Sequence, residues 1–326
     1  MLVRELAPLY RGQRALVLGA SGFIGRWVAR ELGAFEADVH LAVRDPAALD
    51  ALRESYTLTG APHVADLAQS GSAAELCRRL RPAIVFNLAG YGVEPTERDE
   101  RVAELLNHQL PRELAHALLQ HREPSWNGQS LVHAGSALEY GPVSGPISVA
   151  TPSRPNTSYG VTKLAGASAI ASAAALGLAA VEARIFTAYG PGEHATRLLP
   201  TLIRARKSGE LVALTNGDQR RDFVHVAEIA DSLLRLGVSQ RVGFRVVNVA
   251  TGRLRSAREF VLASANVLQL PAEQLGFGLK PYLKEEMWHG DVSVAELEDE
   301  TGASPRLTIE AGVREAVEFM RLKGIL

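Results

Sequence analysis

Short apolar runs alternate with amphipathic stretches through the first half of the chain. Arg14–Leu18 (RALVL) is an apolar run that stops at a glycine. Residues 23–32 then carry Phe23, Ile24, Trp27, Val28 and Leu32 at helical spacing. Asp38–Val43 reads as a second strand. Asp45 followed by Pro46 is an N-cap residue with proline at the first helical position, and it opens a helix over 47–53. A short third strand is expected at 63–65, a helix at 72–81, a fourth strand at 83–88 and a long helix at 100–120. Strands at 130–134 and 179–186 flank a helix at 158–176. Repeated alternation of this kind predicts an α/β protein built on a parallel sheet covered on both faces, with right-handed crossovers. After Gly190 the rhythm loosens. Helices are expected at 198–207, 226–236, 256–268 and 308–322, and a strand at 245–249. This second half has no β–α repeat of its own and reads as a smaller lobe.

Composition narrows the functional classes. The 326 residues carry 35 Lys plus Arg against 36 Asp plus Glu, a formal net charge of −1. No global field draws the chain to nucleic acid or to an anionic membrane, so neither is an expected partner. A hydrophobic fraction of 47% with 22% charged residues is wrong for disorder. The single cysteine, Cys77, excludes an intramolecular disulfide and a multi-cysteine metal site, and its helical context predicts a packed thiol. No metal is expected. The apolar stretch 165–181 is broken by Gly166, Ser168, Ser172 and Gly177, too short and too Ala-rich to span a bilayer. The start of the chain is mixed and charged, with no secretion signal. The expected location is the cytoplasm.

Gly19, Gly22 and Gly25 follow a strand and open a helix, spaced G-x-x-G-x-x-G. Glycines there permit a tight turn, close backbone approach to a pyrophosphate and close helix–strand packing. Dinucleotide binding is the expectation, with Gly19, Ser21, Gly22, Phe23, Ile24 and Gly25 as cofactor contacts. At the end of the second strand an NAD site carries an acidic residue for the ribose hydroxyls. Here Val43 takes that position and Arg44 follows, a guanidinium suited to a 2′-phosphate. NADP(H) is therefore expected over NAD, with Asp45 as the competing ribose ligand. Asp66, beside Leu67, follows the third strand and reads either as an acceptor for the adenine amino group or as a helix N-cap. Leu88, Ala89 and Gly90 end the fourth strand at the carboxyl edge, where cofactors lie.

Tyr159 and Lys163 stand four apart at the start of a predicted helix and so share a face. An ammonium near a phenol stabilises the phenolate, which would make Tyr159 a proton donor or acceptor near neutral pH. Ser136 follows a strand and can bond the same substrate oxygen. His133 reads as packed and His225 as a hydrogen-bonded structural histidine. His194 and Arg197, on the loop after 187–192, can contact sugar or phosphate or lie on the surface.

These pieces form an ordered set: GASGFIG (19–25), NLAG (87–90), GSALEYG (135–141), PNTSYGVTK (155–163), RIFTAYGPGE (184–193) and RRDFVHV (220–226). Together they resemble the extended short-chain dehydrogenase/reductase family, in its nucleotide-sugar epimerase, dehydratase and reductase branch, over roughly residues 12–320. The resemblance implies a Rossmann-type doubly wound sheet with a smaller C-terminal α/β substrate lobe. It puts the NADP-binding domain at 1–186, with segments around 220–252 returning to it, and the substrate lobe mainly at 187–326. It makes Ser136, Tyr159 and Lys163 the catalytic trio, with Tyr159 and Lys163 also touching the cofactor. It assigns Arg221 to a nucleotide diphosphate, and Leu199, Pro200 and Ile203 to the segment over the nucleotide base. Ala137, Leu138 and Thr187 join the substrate contacts, and Asn107 is structural. A homodimer through the helices at 100–120 and 158–176 is also implied.

Departures from the family pattern narrow the reaction. Sugar-nucleotide dehydratases carry Thr-Asp-Glu where this chain has Ser136-Ala137-Leu138, so the acid and base for water elimination are missing. Glu139 falls one place too late, with a substrate contact left open. Thr187 replaces an asparagine, and Trp288 and His289 stand where many relatives have an arginine. Arg44 and the runs GPGEHATRLLP (190–200) and KPYLKEEMW (280–288) favour NADPH-dependent reductases of 4-keto-6-deoxy nucleotide sugars. An NAD(P)-dependent epimerase using the same trio is the alternative. A non-catalytic dinucleotide sensor is a third reading, opposed by the intact trio.

Overall fold

A computed structural model describes residues 4–94, 96–282 and 287–324. The elements of the first half are α1 (Ala7–Tyr10), β1 (Arg14–Leu18), α2 (Phe23–Ala34), β2 (Asp38–Val43), α3 (Pro46–Tyr56), β3 (Ala61–Val64), α4 (Ser72–Leu80) and β4 (Ile84–Asn87). They continue with α5 (Glu100–Glu104), a single π turn (Leu105–Gln109), α6 (Leu110–His121), β5 (Leu131–Ser136), α7 (Ser158–Ala174) and β6 (Ala180–Ile185). The long helix expected at 100–120 is therefore interrupted. The third strand starts two residues before the expected 63–65, where Ala61 pairs with His40.

The second half contributes β7 (Thr187–Tyr189), α8 (Leu198–Ser208), β8 (Val212–Leu214), β9 (Arg220–His225), α9 (Val226–Val238), β10 (Phe244–Val249), β11 (Leu254–Ser256), α10 (Ala257–Leu268), β12 (Leu275–Phe277), α11 (Ala295–Thr301) and α12 (Ile309–Leu322). Among the described residues the main sheet has seven strands in the order β10-β6-β5-β4-β1-β2-β3, all parallel. This is the α/β, doubly wound Rossmann-type arrangement. The chain returns to the main sheet at β10, preceded by α9, which packs against α2. β9 instead joins β7 and β11 in a separate three-stranded sheet, and β8 pairs with β12.

Burial explains the layers. On one face of the sheet Val17, Val132, Val181 and Val247 pack with Leu32 of α2 and Leu233 of α9. On the other, Leu16, Leu18, Val85 and Leu131 pack with Leu114 and Leu118 of α6 and Ile170 of α7. Cys77 is fully buried in that second layer, its thiol pushed up to about 12 by burial, as a packed rather than reactive group. The smaller lobe has cores of its own around Phe223 and Phe260, stacked at 4.3 Å, and around Leu202 and Val261. No helix among the described residues is long and apolar enough to cross a membrane.

Candidate active site

The glycine turn is built by close approach. Gly19 sits at φ +75°, and a Cβ on it would lie 2.9 Å from Ala89 N and Leu88 O, at the end of the neighbouring β4. A Cβ on Gly25 would meet the Gly19 carbonyl oxygen at 2.1 Å, and one on Gly22 the same oxygen at 3.0 Å. The turn is thus a cradle that side chains would fill, and it brings the expected contacts Gly19, Ser21, Gly22, Leu88, Ala89 and Gly90 to one sheet edge at the start of α2. Phe23 and Ile24 are half-buried against the core in the first turn of that helix.

Arg44 is exposed and has no hydrogen-bond or ion-pair partner among the described residues. Asp45 is committed to capping α3, its Oδ1 accepting from Ala47 N at 2.9 Å. Asp66 is exposed and accepts from Ala68 N at 3.1 Å, stabilising a turn. The helix N-cap reading of Asp66 is corrected, because α4 begins later and its N-cap is Gly71. Leu67 packs on the α6–α7 side of the sheet.

Ser136 ends β5 and caps a short 3-10 turn. Its Oγ accepts from Leu138 N at 3.2 Å, and its N–H donates to Glu139 Oε1 at 2.7 Å. Thr157 caps α7, accepting from Gly160 N at 3.0 Å, which places Tyr159 in the first turn and Lys163 one turn on. Tyr159 is hydrogen-bonded to Ser136. Its ring lies against Gly92, where a Cβ would come within 3.2 Å. Asn107, at the π turn, holds the neighbouring loop and α7 together: its Oδ1 accepts from Tyr91 N at 3.0 Å, and its Nδ2 donates to Tyr91 O at 2.8 Å and to Thr162 Oγ1 at 3.0 Å.

Lys163 is buried, and its Nζ reaches His133 Nε2 at 3.3 Å. Burial lowers the Lys163 pKa, against the charges of Glu139 and Glu182. Burial likewise raises Tyr159 above the ordinary phenol range, helped by Glu139 and Glu97 and opposed by the Ser136 bond and Arg197. The expectation that Lys163 draws the phenol toward neutral pH is therefore corrected. The ammonium is turned to His133, and burial dominates, so Tyr159 is a phenol at pH 7.

Glu139 is corrected as well. It is fully buried behind Ser136 and has no place at a substrate surface. His225 is buried between Trp27 and Tyr189, and among the described residues neither ring nitrogen has a partner, so its expected hydrogen bond is not found there. Burial lowers its pKa to about 4. His194 and Arg197 lie on the loop between β7 and α8. His194 lies 3.3 Å from Glu94, joining two loops, and Arg197 pairs with Glu193 at 3.5 Å.

The expected substrate residues are divided between the turn after β5 and the second half of the chain. Ala137 and Leu138 form the turn after Ser136. Thr187 is half-buried at the start of β7, paired with Phe223. Leu199, Pro200 and Ile203 line a cavity of about 460 Å³ with Arg26, Tyr56 and Glu193, and none of Ser136, Tyr159 and Lys163 borders it. Leu199 is 1% exposed and fills the lobe core. Arg221 donates to the backbone oxygens of Arg220, at 2.7 Å, and of Met287, and burial lowers its pKa to about 10. Residues 283–286 of the KPYLKEEMW run lie outside the described residues.

Residues 15–250 match the NAD dependent epimerase/dehydratase family. The chain belongs to that family. It is 32% identical to a dTDP-6-deoxy-L-talose 4-dehydrogenase (NAD(P)(+)) of Kitasatospora kifunensis, over 95% of this chain and 96% of that one. It is 31% identical to a protein of Streptomyces antibioticus designated "Probable dTDP-4,6-dihydroxy-2-methyloxan-3-one 4-ketoreductase", over 69% and 67% of the two chains. The solved structure of MoeE5 in complex with UDP-glucuronic acid and NAD is similar, with a TM-score of 0.80, 27% identity and coverage of 95% and 99%. This member of the epimerase/dehydratase family is an NAD(P)-dependent enzyme of the oxidoreductase and epimerase type.

The residues that sequence reasoning undervalued are His133, Glu182 and Arg184. The signal was present in the strand pattern. A strand buried on both faces should read as continuous apolar sequence, yet β5 contains a histidine and β6 a glutamate and an arginine two apart.

Proposed function

We propose that this enzyme reduces a 4-keto-6-deoxy nucleotide sugar with NADPH. The observation that carries the reading is Arg44, an exposed guanidinium with no partner among the described residues, at the end of β2, where a 2′-phosphate lies in an NADP site. The glycine cradle fits a dinucleotide pyrophosphate at the start of α2. The nicotinamide cofactor, when bound, supplies the hydride that adds to the carbonyl carbon. Tyr159, held as a phenol, donates its proton to the carbonyl oxygen. Ser136 holds that oxygen, and the Lys163 ammonium offsets the charge left on the phenolate. Ala137 and Leu138 give no acid or base for dehydration, and Glu139 is buried away from substrate.

The relatives support a nucleotide-sugar substrate. Arg221, Thr187 and the cavity at Leu199, Pro200 and Ile203 are its proposed contacts, and the site is proposed to act in a cytoplasmic homodimer packed through α6 and α7. Val161, on the outer side of α7, is 51% exposed. The test of the reaction incubates the enzyme with NADPH and a 4-keto-6-deoxy nucleotide sugar. Reduction oxidises one NADPH per product, whereas an epimerase makes product with no net change in cofactor.

A further inference from the structure

A row of buried polar side chains crosses the main sheet beneath α7. Asn87 on β4, His133 on β5 and Glu182 on β6 are register partners, each fully buried. Arg184, two residues beyond Glu182, pairs with Gly135 on one side and Asn248 on the other. Gly135 makes room for the row, because a Cβ there would lie 2.9 Å from Glu182 Oε1 and 3.0 Å from Glu139 Oε1. Such a row costs stability in an interior unless its members satisfy one another.

The hydrogen bonds give the histidine a defined tautomer. Burial, and then the nearby Lys163 charge, keep His133 neutral. To accept from Lys163 at Nε2, its ring must carry hydrogen on Nδ1. The Asn87 amide nitrogen is placed 3.1 Å from that Nδ1, while Asn87 Oδ1 has no partner among the described residues. Turning the amide over, a choice that hydrogen-bond chemistry decides, lets Oδ1 accept from Nδ1–H and satisfies both groups.

We propose that His133, keyed by Asn87, is a positioning residue that accepts a hydrogen bond from the Lys163 ammonium and keeps it charged beneath Tyr159. The inference rests on the proton-transfer reading of Tyr159. Lys163 is faced by His133 from β5, by Glu182 from β6 and by Glu139 from the turn after β5, and Tyr159 stands one turn before it on α7. Glu97 and Arg197 face the phenol from the loops above it. Among the described residues only His133 bonds the ammonium directly.

The test compares His133→Leu, His133→Gln and Asn87→Leu in the full chain, with Tyr159→Phe as control, measuring kcat and KM for reduction against pH. With Tyr159 raised and Lys163 lowered, loss of the lysine proton sets the alkaline limb. Removing its acceptor therefore moves that limb to lower pH, by about one unit for one charge-assisted bond. His133→Leu is expected to lose kcat progressively on the alkaline side of the limb, up to roughly tenfold, with the nucleotide-sugar KM within about twofold. His133→Gln, which keeps an acceptor, stays near wild type. Asn87→Leu leaves the imidazole in place but frees its tautomer, and shifts the limb the same way. An inactive Tyr159→Phe together with an unmoved limb in the Leu variants overturns the inference, and so does a His133→Gln as impaired as His133→Leu. A Tyr159→Phe that turns over normally overturns the underlying proton-transfer reading instead.

Discussion

The two faces of the central sheet, each packed on an apolar layer, part company in the carboxyl halves of four strands. Toward α2 and α9 the strands present Val17, Val132, Val181 and Val247, all fully buried among aliphatic neighbours. Toward α7 the carboxyl halves of β4, β5, β6 and β10 present Asn87, His133, Glu182, Arg184 and Asn248, also buried. The first face lowers the free energy of the fold by removing apolar surface from water. The second carries charge in a dry interior, which stabilises little by itself and persists because its members bond one another. Tyr159 and Lys163, the proposed catalytic pair, stand on the helix that covers the second face. The difference teaches that stability and chemistry are separable here, face by face.

The sharpest way to break that comparison is Tyr159→Phe. It removes the proton donor and is expected to lower kcat about 10³-fold, with the melting temperature and cofactor affinity nearly unchanged. A matched loss of stability would mean that the faces are not separable. Leu32→Ala, a fully buried change on α2, should show the reverse, costing about 3 kcal/mol in denaturant unfolding with kcat kept. Arg44→Ala sharpens the cofactor reading. Its NADPH KM should rise about thirtyfold and its NADH KM stay within about twofold, and equal rises would sink the 2′-phosphate assignment.

The smallest effect concerns His225, a histidine unpaired among the described residues and buried at the edge of the apolar side. Its pKa is lowered from 6.5 to about 4, so the unfolded chain binds the extra proton first. Its contribution is present above pH 6.5 and is lost as pH falls toward 4, on the order of 1–2 kcal/mol by pH 5. His225→Phe should lose less stability than wild type between pH 7 and pH 5. An identical loss would show that other groups drive acid unfolding.

Much of this was legible in the sequence because the first half obeys simple periods. β1 and β2 fall where the apolar runs stand, and α2 and α7 where the helical spacing does. The glycine turn was legible because only glycine tolerates the contacts between Gly19 and β4 and between Gly25 and Gly19. The smaller lobe was harder. β7, β8, β11 and β12 are three residues each, too short to show a period of two, and β9 read as a motif rather than as a strand. The π turn at Leu105–Gln109 arises where Asn107 is drawn to the loop and α7, a tertiary cause with no local signal. His225 lost its expected hydrogen bond because aromatic rings surround it, which spacing along a chain cannot reveal. Lys163 was read as a partner of Tyr159 and of the cofactor. The pull of His133 on it depends on three strands meeting in register.

Tyr159 is proposed to protonate a sugar carbonyl reduced at the expense of NADPH. The most direct measurement follows NADPH absorbance and product together when a 4-keto-6-deoxy nucleotide sugar is mixed with the enzyme. One NADPH consumed for each reduced sugar, abolished in Tyr159→Phe, is the predicted result. Sugar product formed with no net loss of NADPH would contradict it.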